Sequence, residues 1–216
     1  VPAGLRQLRY TARMVEYAPS VLFKRSVSQT PDYYRPGVQG QALHFYYDLA
    51  DFRGPDGQTT LEVYYGISPE QVDFVEEDNG SMFQVQGALA LANESYTNIY
   101  RTTDTFSYGS TGKNTWPKGT FVPDVLQVQI PPGKYELQVQ LKDLNSGRVR
   151  AYKQSLVVKD YEPDALQVSD IELASKIGDK GSKSKFQKDE VWVVPMPSRA
   201  YKHGQKVYAY FEIYNL

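Results

Sequence analysis

From Val21 onward, apolar and polar positions alternate with a period of two. Leu43, Phe45, Tyr47 and Leu49 take one side, and His44, Tyr46 and Asp48 the other. After Gly54-Pro55-Asp56-Gly57 the alternation resumes, with Leu61, Val63, Tyr65 and Ile67 set against Glu62, Tyr64 and Gly66. Two alternating runs across a Pro-Asp-Gly turn predict a β-hairpin. Asp78-Asn79-Gly80 predicts a second turn, and the Thr/Tyr/Asn-rich stretch 81–108 predicts two strands with an unclear join. Residues 107–119 gather Gly, Ser, Thr, Asn and Pro around Trp116 and predict a loop. The cleanest alternation follows Pro131-Pro132-Gly133 and ends at Asn145-Ser146-Gly147. There Tyr135, Leu137, Val139 and Leu141 read as core, and Glu136, Gln138, Gln140 and Lys142 as solvent-facing. One buried face and one wet face is the habit of antiparallel sheets. Residues 160–164 (DYEPD) predict a linker, 178–190 a charged flexible loop, and 166–174, 191–194 and 206–214 further strands. At 5–17 alone, where Leu5, Leu8, Ala12 and Val15 fall near helical spacing, the pattern predicts a short helix.

The expected fold is therefore all-β: an antiparallel, immunoglobulin-like β-sandwich over 1–163, followed by a partial second β module at 164–216. An internal match supports the second module. Residues 31–52 align without a gap to 195–216, sharing Pro31/Pro195, Arg35/Arg199, Gly40/Gly204, Gln41/Gln205 and Tyr46/Tyr210. Self-similarity at a fixed offset signals a duplicated unit. The match predicts the same strand geometry and the same buried face in both copies. So short a second copy would leave Val207, Ala209, Phe211 and Ile213 uncovered. Three things could cover them: the first domain, a partner, or further chain.

Composition narrows the function classes. The 216 residues are 41% hydrophobic and 23% charged, which is ordinary for a globular protein. Eighteen Tyr and nine Phe suit strands. A net charge of −1 argues against a nucleic-acid partner, which calls for a basic excess. The absence of cysteine removes disulfides, thiol catalysis and cysteine metal sites. No stretch has the apolar length of a membrane span, and Val1-Pro2-Ala3 carries no signal-peptide core.

Catalytic chemistry is poorly provided for. The only imidazoles are His44 and His203. His44 and Asp48 share a strand face, but four residues of strand separate them by roughly 13 Å, too far for a base and its orienting partner. No Gly-x-Ser-x-Gly, His-Glu-x-x-His or Gly-Lys-Ser/Thr motif is present. Glu76-Glu77-Asp78-Asn79-Gly80 and the set Asp48, Asp51 and Asp56 offer oxygen ligands to calcium, but neither has a known loop spacing. Carboxylates beside glycine are ordinary turn formers. The expectation is no enzyme, no cofactor and no metal.

Aromatic residues are the richer signal. Tyr208, Tyr210, Glu212 and Tyr214 share one strand face, and Tyr46 with Asp48 repeats the pairing of Tyr210 with Glu212. Such a row either stacks on sugars and anchors a protein partner or covers cross-strand neighbours. Trp116, in KNTWPKG, is either a recognition tip or a lid folded back over the end of the sandwich. The basic residues of 180–188 either meet an acidic surface or belong to a solvated linker. Tyr46, Trp116, Tyr208, Tyr210 and Tyr214 are thus the candidate interaction surface.

The C-terminal segment, LQVSDIELASKI, then VVPMPSRAY, then GQKVYAYFEIYNL, resembles the bacterial GWxTD domain-containing protein family. The similarity is best over 166–216 and weaker over 27–67 and 130–149. The eponymous Gly-Trp-x-Thr-Asp is absent, since Trp116 and Trp192 sit in other contexts. The resemblance thus covers a flanking sandwich region. It implies a β-sandwich and a periplasmic or extracellular location in the bacterial envelope, and it brings no catalytic residues. The expected function is a non-enzymatic scaffold or accessory subunit docking on other subunits of an envelope or membrane-associated complex. A photosynthetic reaction centre is one example of such a complex. The rival expectation is a carbohydrate-binding module using Tyr and Trp surfaces.

Overall fold

A computed structural model of the chain describes residues 43–77, 80–111, 116–162, 164–179 and 185–216. The helix expected at 5–17, the first part of the internal match and Asp78-Asn79 lie outside the described residues.

Within those residues the protein is all-β with antiparallel sheets, interrupted by one 3-10 turn at Pro69–Gln71. The predicted hairpin forms from β1 (Phe45–Arg53) and β2 (Thr59–Ile67), with Gly57 at positive φ in the turn. β6 (Val122–Ile130) adds to β2 and completes a three-stranded sheet. The facing sheet is built on β4 (Gly80–Asn93), whose start is paired by β3 (Val75–Glu77). β5 (Ile99–Thr111) pairs one edge of β4, and β7 (Gly133–Asp143) pairs the other. β8 (Val149–Val158) closes the row outside β7. The join between β4 and β5 is a turn in which Asn93 Oδ1 accepts from the amides of Thr97 and Asn98. β5 runs on to Thr111, into the stretch expected to be loop.

The two sheets share one core. Leu61, Val63, Tyr65 and Ile67 from one meet Phe83, Val85, Leu89 and Leu91 and the face of Leu137, Val139 and Leu141 from the other. Glu136, Gln138 and Gln140 lie on the outer face, partly covered by flanking strands. Gly87 permits a close approach, because a Cβ there would stand 2.7 Å from the Tyr65 hydroxyl oxygen.

The C-terminal module holds β9 (Gln167–Val168), β10 (Glu172–Asp179), β11 (Gln187–Lys188), β12 (Val191–Pro195), β13 (Tyr208–Tyr210) and β14 (Ile213–Tyr214). A four-stranded sheet runs β11-β12-β10-β13, and β14 pairs β9. The strands expected at 166–174 and 206–214 are each broken once. Ser169 bridges the breaks: its amide donates to Glu212 O, and its hydroxyl oxygen accepts from Glu212 N.

The matched segments do not share a buried face. In the first copy Leu43 and Phe45 are buried in the sandwich core, with Tyr47 and Leu49 packed against it. In the second, their counterparts Val207, Ala209, Phe211 and Ile213 are exposed, and the tyrosine face turns inward. The cause is the surface each copy meets: the core of the sandwich in one case, its outer side in the other.

Candidate interaction site on the second module

The second module sits on the outer side of β1, β2 and β6. Its contact is a small apolar cluster of Ala50, Phe52, Tyr64 and Val125, with Phe186 and Tyr210 packed against it. Polar groups do the rest. Alternation placed Glu62 and Tyr64 on the solvent side of β2, yet both are buried, because the module covers them. Gln127 Nε2 donates to Glu62 Oε1 at 2.8 Å. The Lys188 ammonium pairs with Glu62 and lies 3.6 Å from Glu172 Oε2. It also stands 3.9 Å above the Phe52 ring, a cation–π contact.

Tyr64 stands between the two carboxyls. Its hydroxyl oxygen is 2.5 Å from Glu62 Oε2 and 2.8 Å from Glu172 Oε2. A phenol has one proton to donate, so a proton on one carboxyl lets both short contacts be hydrogen bonds. Glu172 fits that role. It is 2% exposed, its Oε1 has no hydrogen-bond partner, and burial is the main cause that pushes its carboxyl up to about 7. The nearby Lys188 pulls in the opposite direction without cancelling that push.

The tyrosine row belongs to this inner side. Tyr210 packs on Phe52 with ring centroids 6.0 Å apart, and Tyr214 meets Tyr161 edge-on at 5.1 Å. Tyr210 and Tyr214 each donate to one oxygen of Glu212, at 2.8 and 2.7 Å. Arg53 donates its amide to the Tyr214 hydroxyl oxygen, and its guanidinium lies 4.1 Å above the Tyr214 ring. Burial first, then the Glu212 hydrogen bond, raises both phenols well above the usual tyrosine value. Two further ties hold the module. Arg199, at positive φ, forks onto both oxygens of Asp48 at 2.6 and 2.7 Å. Asp51 donates its amide to Asp170 Oδ2 at 3.2 Å and accepts the Asp170 amide at its carbonyl oxygen at 3.1 Å.

The five candidate surface residues therefore part company. Tyr46 is 51% exposed and meets Phe121 edge-on. Trp116 is folded back, its ring 6.2 Å from Phe83, which is the lid arrangement. Tyr208 and Tyr210 are half-buried, and Tyr214 is buried. Tyr210 and Tyr214 take the covering arrangement: their hydroxyls find Glu212, and their rings find Phe52 and Tyr161. The basic loop is corrected in part. Lys180 and Lys183 lie outside the described residues, but Lys185 pairs with Asp104 and Asp124, and Lys188 is buried.

What the row leaves outward is apolar. Val207 is 58% exposed, Phe211 47% and Ile213 46%. The β14–β9 register sets Ile213 opposite Val168, which is also exposed, and Ile171 and Leu216 add to the same module's exposed apolar side chains. Large exposed apolar patches mark association surfaces. No trio of His, Asp or Glu able to hold a metal occurs among the described residues, and the Glu76–Gly80 candidate falls partly outside them. No helix among the described residues is long and apolar enough to cross a membrane. No protein-family model matches the chain, and no curated protein sequence matches it. The likeness to the GWxTD family rests on the quoted residues alone.

Proposed function

We propose that this protein is a non-enzymatic docking subunit of the bacterial envelope, related to the flanking sandwich region of GWxTD proteins, in which the sandwich carries the second module and the module meets a protein partner. One observation carries the reading: the outer side of β13 and β14 is apolar and exposed, while its inner side is anchored by Tyr210, Tyr214, Lys188 and Arg199. Anchoring matters because a rigid apolar patch loses less conformational entropy on association than a mobile one. Val168, Val207, Phe211 and Ile213 form the centre of the proposed interface, and the polar turn at Lys202–Lys206 forms part of its rim. A carbohydrate platform would need exposed aromatic planes, and among the five candidates Tyr46 alone stands open.

The test is a photo-crosslinking amino acid placed at 211 in the full chain, with the same group at exposed Val157 on β8 as control. In envelope fractions of the source organism, position 211 should give one discrete heavier adduct that position 157 does not. A Phe211→Ser/Ile213→Ser double variant, folded by circular dichroism, should lose about 2 kcal/mol or more of partner affinity. Equal labelling at 211 and 157, or unchanged affinity in the double variant, refutes the reading.

A further inference from the structure

A second feature lies between the two modules, on the other side of the Lys202–Lys206 turn from Val207 and Phe211. The end of β2, the segment entering β6, and the chain from β12 through the following turn enclose a cleft of about 530 Å³. That is the size of a small-molecule site. Its walls are apolar: Tyr46 and Phe121, with ring centroids 5.3 Å apart, face a run of Val194, Pro195, Met196 and Pro197. Gly66 and Gly119 present no side chain, so the space between the walls stays open. At Gly66 a Cβ would stand 3.2 Å from Pro197.

The polar groups of the cleft are few and of one sign. Lys202 is its single cation, and no acidic residue lines it. Lys202 sits on a turn built to hold it. Its backbone amide donates to Gln205 Oε1 at 3.0 Å, the Gln205 amide donates to Lys202 O at 2.9 Å, and Gly204 takes the positive φ that closes the turn. Among the described residues the Lys202 ammonium has no ion pair, whereas Lys159, Lys185 and Lys188 each have one or more. Gln205 uses its carbonyl oxygen inside the turn, which keeps its side-chain NH2 available as a second donor.

From this geometry we propose that the cleft binds a small amphipathic anion, a carboxylate on an apolar body, with the body between Tyr46/Phe121 and Pro195–Pro197 and the carboxylate at Lys202 and Gln205. The chemistry discriminates. A sugar needs many polar partners along its length, and beyond Lys202 and Gln205 the polar side chains of this lining are Ser175 and Ser198. A cationic amphiphile meets the Lys202 charge. A nucleotide carries several phosphate charges against one ammonium.

Calorimetric titration of the full chain with decanoate, decanol and decyltrimethylammonium, each below its aggregation concentration, tests the assignment. Decanoate should saturate at one per chain, decanol should bind about five- to tenfold more weakly, and the cation should not bind measurably. Lys202→Gln should bring decanoate affinity down to that of decanol and leave decanol unchanged. Phe121→Ala, at an exposed position, should weaken both ligands at an unaltered melting temperature. Phe211→Ser serves as the positional control and should leave decanoate binding intact. The proposal fails if the three amphiphiles bind alike, if Lys202→Gln or Phe121→Ala leaves decanoate affinity unchanged, or if Phe211→Ser abolishes binding. That last result would place the ligand on the outer apolar side instead.

Discussion

Between its two sheets the sandwich is filled by aliphatic and aromatic side chains, with Leu61, Val63 and Ile67 against Leu89, Leu137 and Leu141. Between the sandwich and the second module, the buried apolar cluster shrinks to Ala50, Phe52, Tyr64 and Val125. There Glu62, Glu172, Lys188 and Tyr64 take over. The first contact is non-directional and indifferent to pH. The second depends on a proton count and on the geometry of each donor. A buried ion cluster gives little net stability over an apolar one, but breaking it leaves an uncompensated charge. The junction is therefore the place where this molecule is specific, sensitive and separable.

The comparison is broken most severely from the sandwich side. Leu137→Ala should cost about 2–5 kcal/mol by opening a cavity in a fully buried layer. Denaturant unfolding should show both modules losing stability together, since the junction has no wall without β2 and β6. A loss under about 1 kcal/mol would mean that the layer is not central.

An intermediate effect tests the junction through pH. Glu172 holds its proton in the folded chain up to about 7, while in the unfolded chain it releases it near the ordinary glutamate value of 4.5. The folded state thus binds more protons between those values. This contribution is fully present below the unfolded value and is lost as pH rises through about 7. Linkage puts it on the order of 3 kcal/mol. Glu172→Gln keeps a partner for the Tyr64 hydroxyl and removes the titration. Between pH 5 and pH 8, melting of the variant should fall less than that of the native chain, with the variant the more stable at pH 8. Parallel pH curves would refute the shared-proton assignment.

The smallest expected effect sharpens the contrast within the junction itself. Arg199 is mostly exposed and reaches the largely covered Asp48 carboxylate from the solvent side. Arg199→Ala should therefore cost less than about 1 kcal/mol, and that cost should shrink in high salt. A larger, salt-independent loss in thermal melting would place the Arg199–Asp48 pair among the buried ties.

Much of the sandwich was legible in the chain. The hairpin of β1 and β2 and the buried face of β7 could be read because each strand has one dry and one wet side, and the turns carry Gly, Pro and Asn. What could not be read came from surfaces supplied by distant chain. Glu62 and Tyr64 alternate correctly as outward residues and are buried only because β10 and β11 lie over them. Lys188 stands in a run of lysines, and nothing local marks it as the one that meets two carboxylates. Residues 206–214 offered two plausible faces, one aliphatic and one tyrosine. Tertiary contact chose the tyrosines, whose rings can be buried because Glu212 accepts their hydroxyl protons. The repeat misled for the same reason, since matched residues met unmatched neighbours.

The clasp around Tyr64 also imposes a sequence in time. Most strand pairs of the sandwich join neighbours along the chain: β1 with β2, β4 with β5, β7 with β8. Loop closure over short separations is quick and inexpensive in entropy. Lys188 meets Glu62 across 126 positions, and Tyr64 meets Glu172 across 108. Those partners have nothing to grip until β2 and β6 stand side by side and present Glu62, Tyr64 and Gln127 as one wall. A chain emerging from the ribosome would finish the sandwich before residues 164–216 found their seat. The outer apolar side is thus mounted on a foundation already closed.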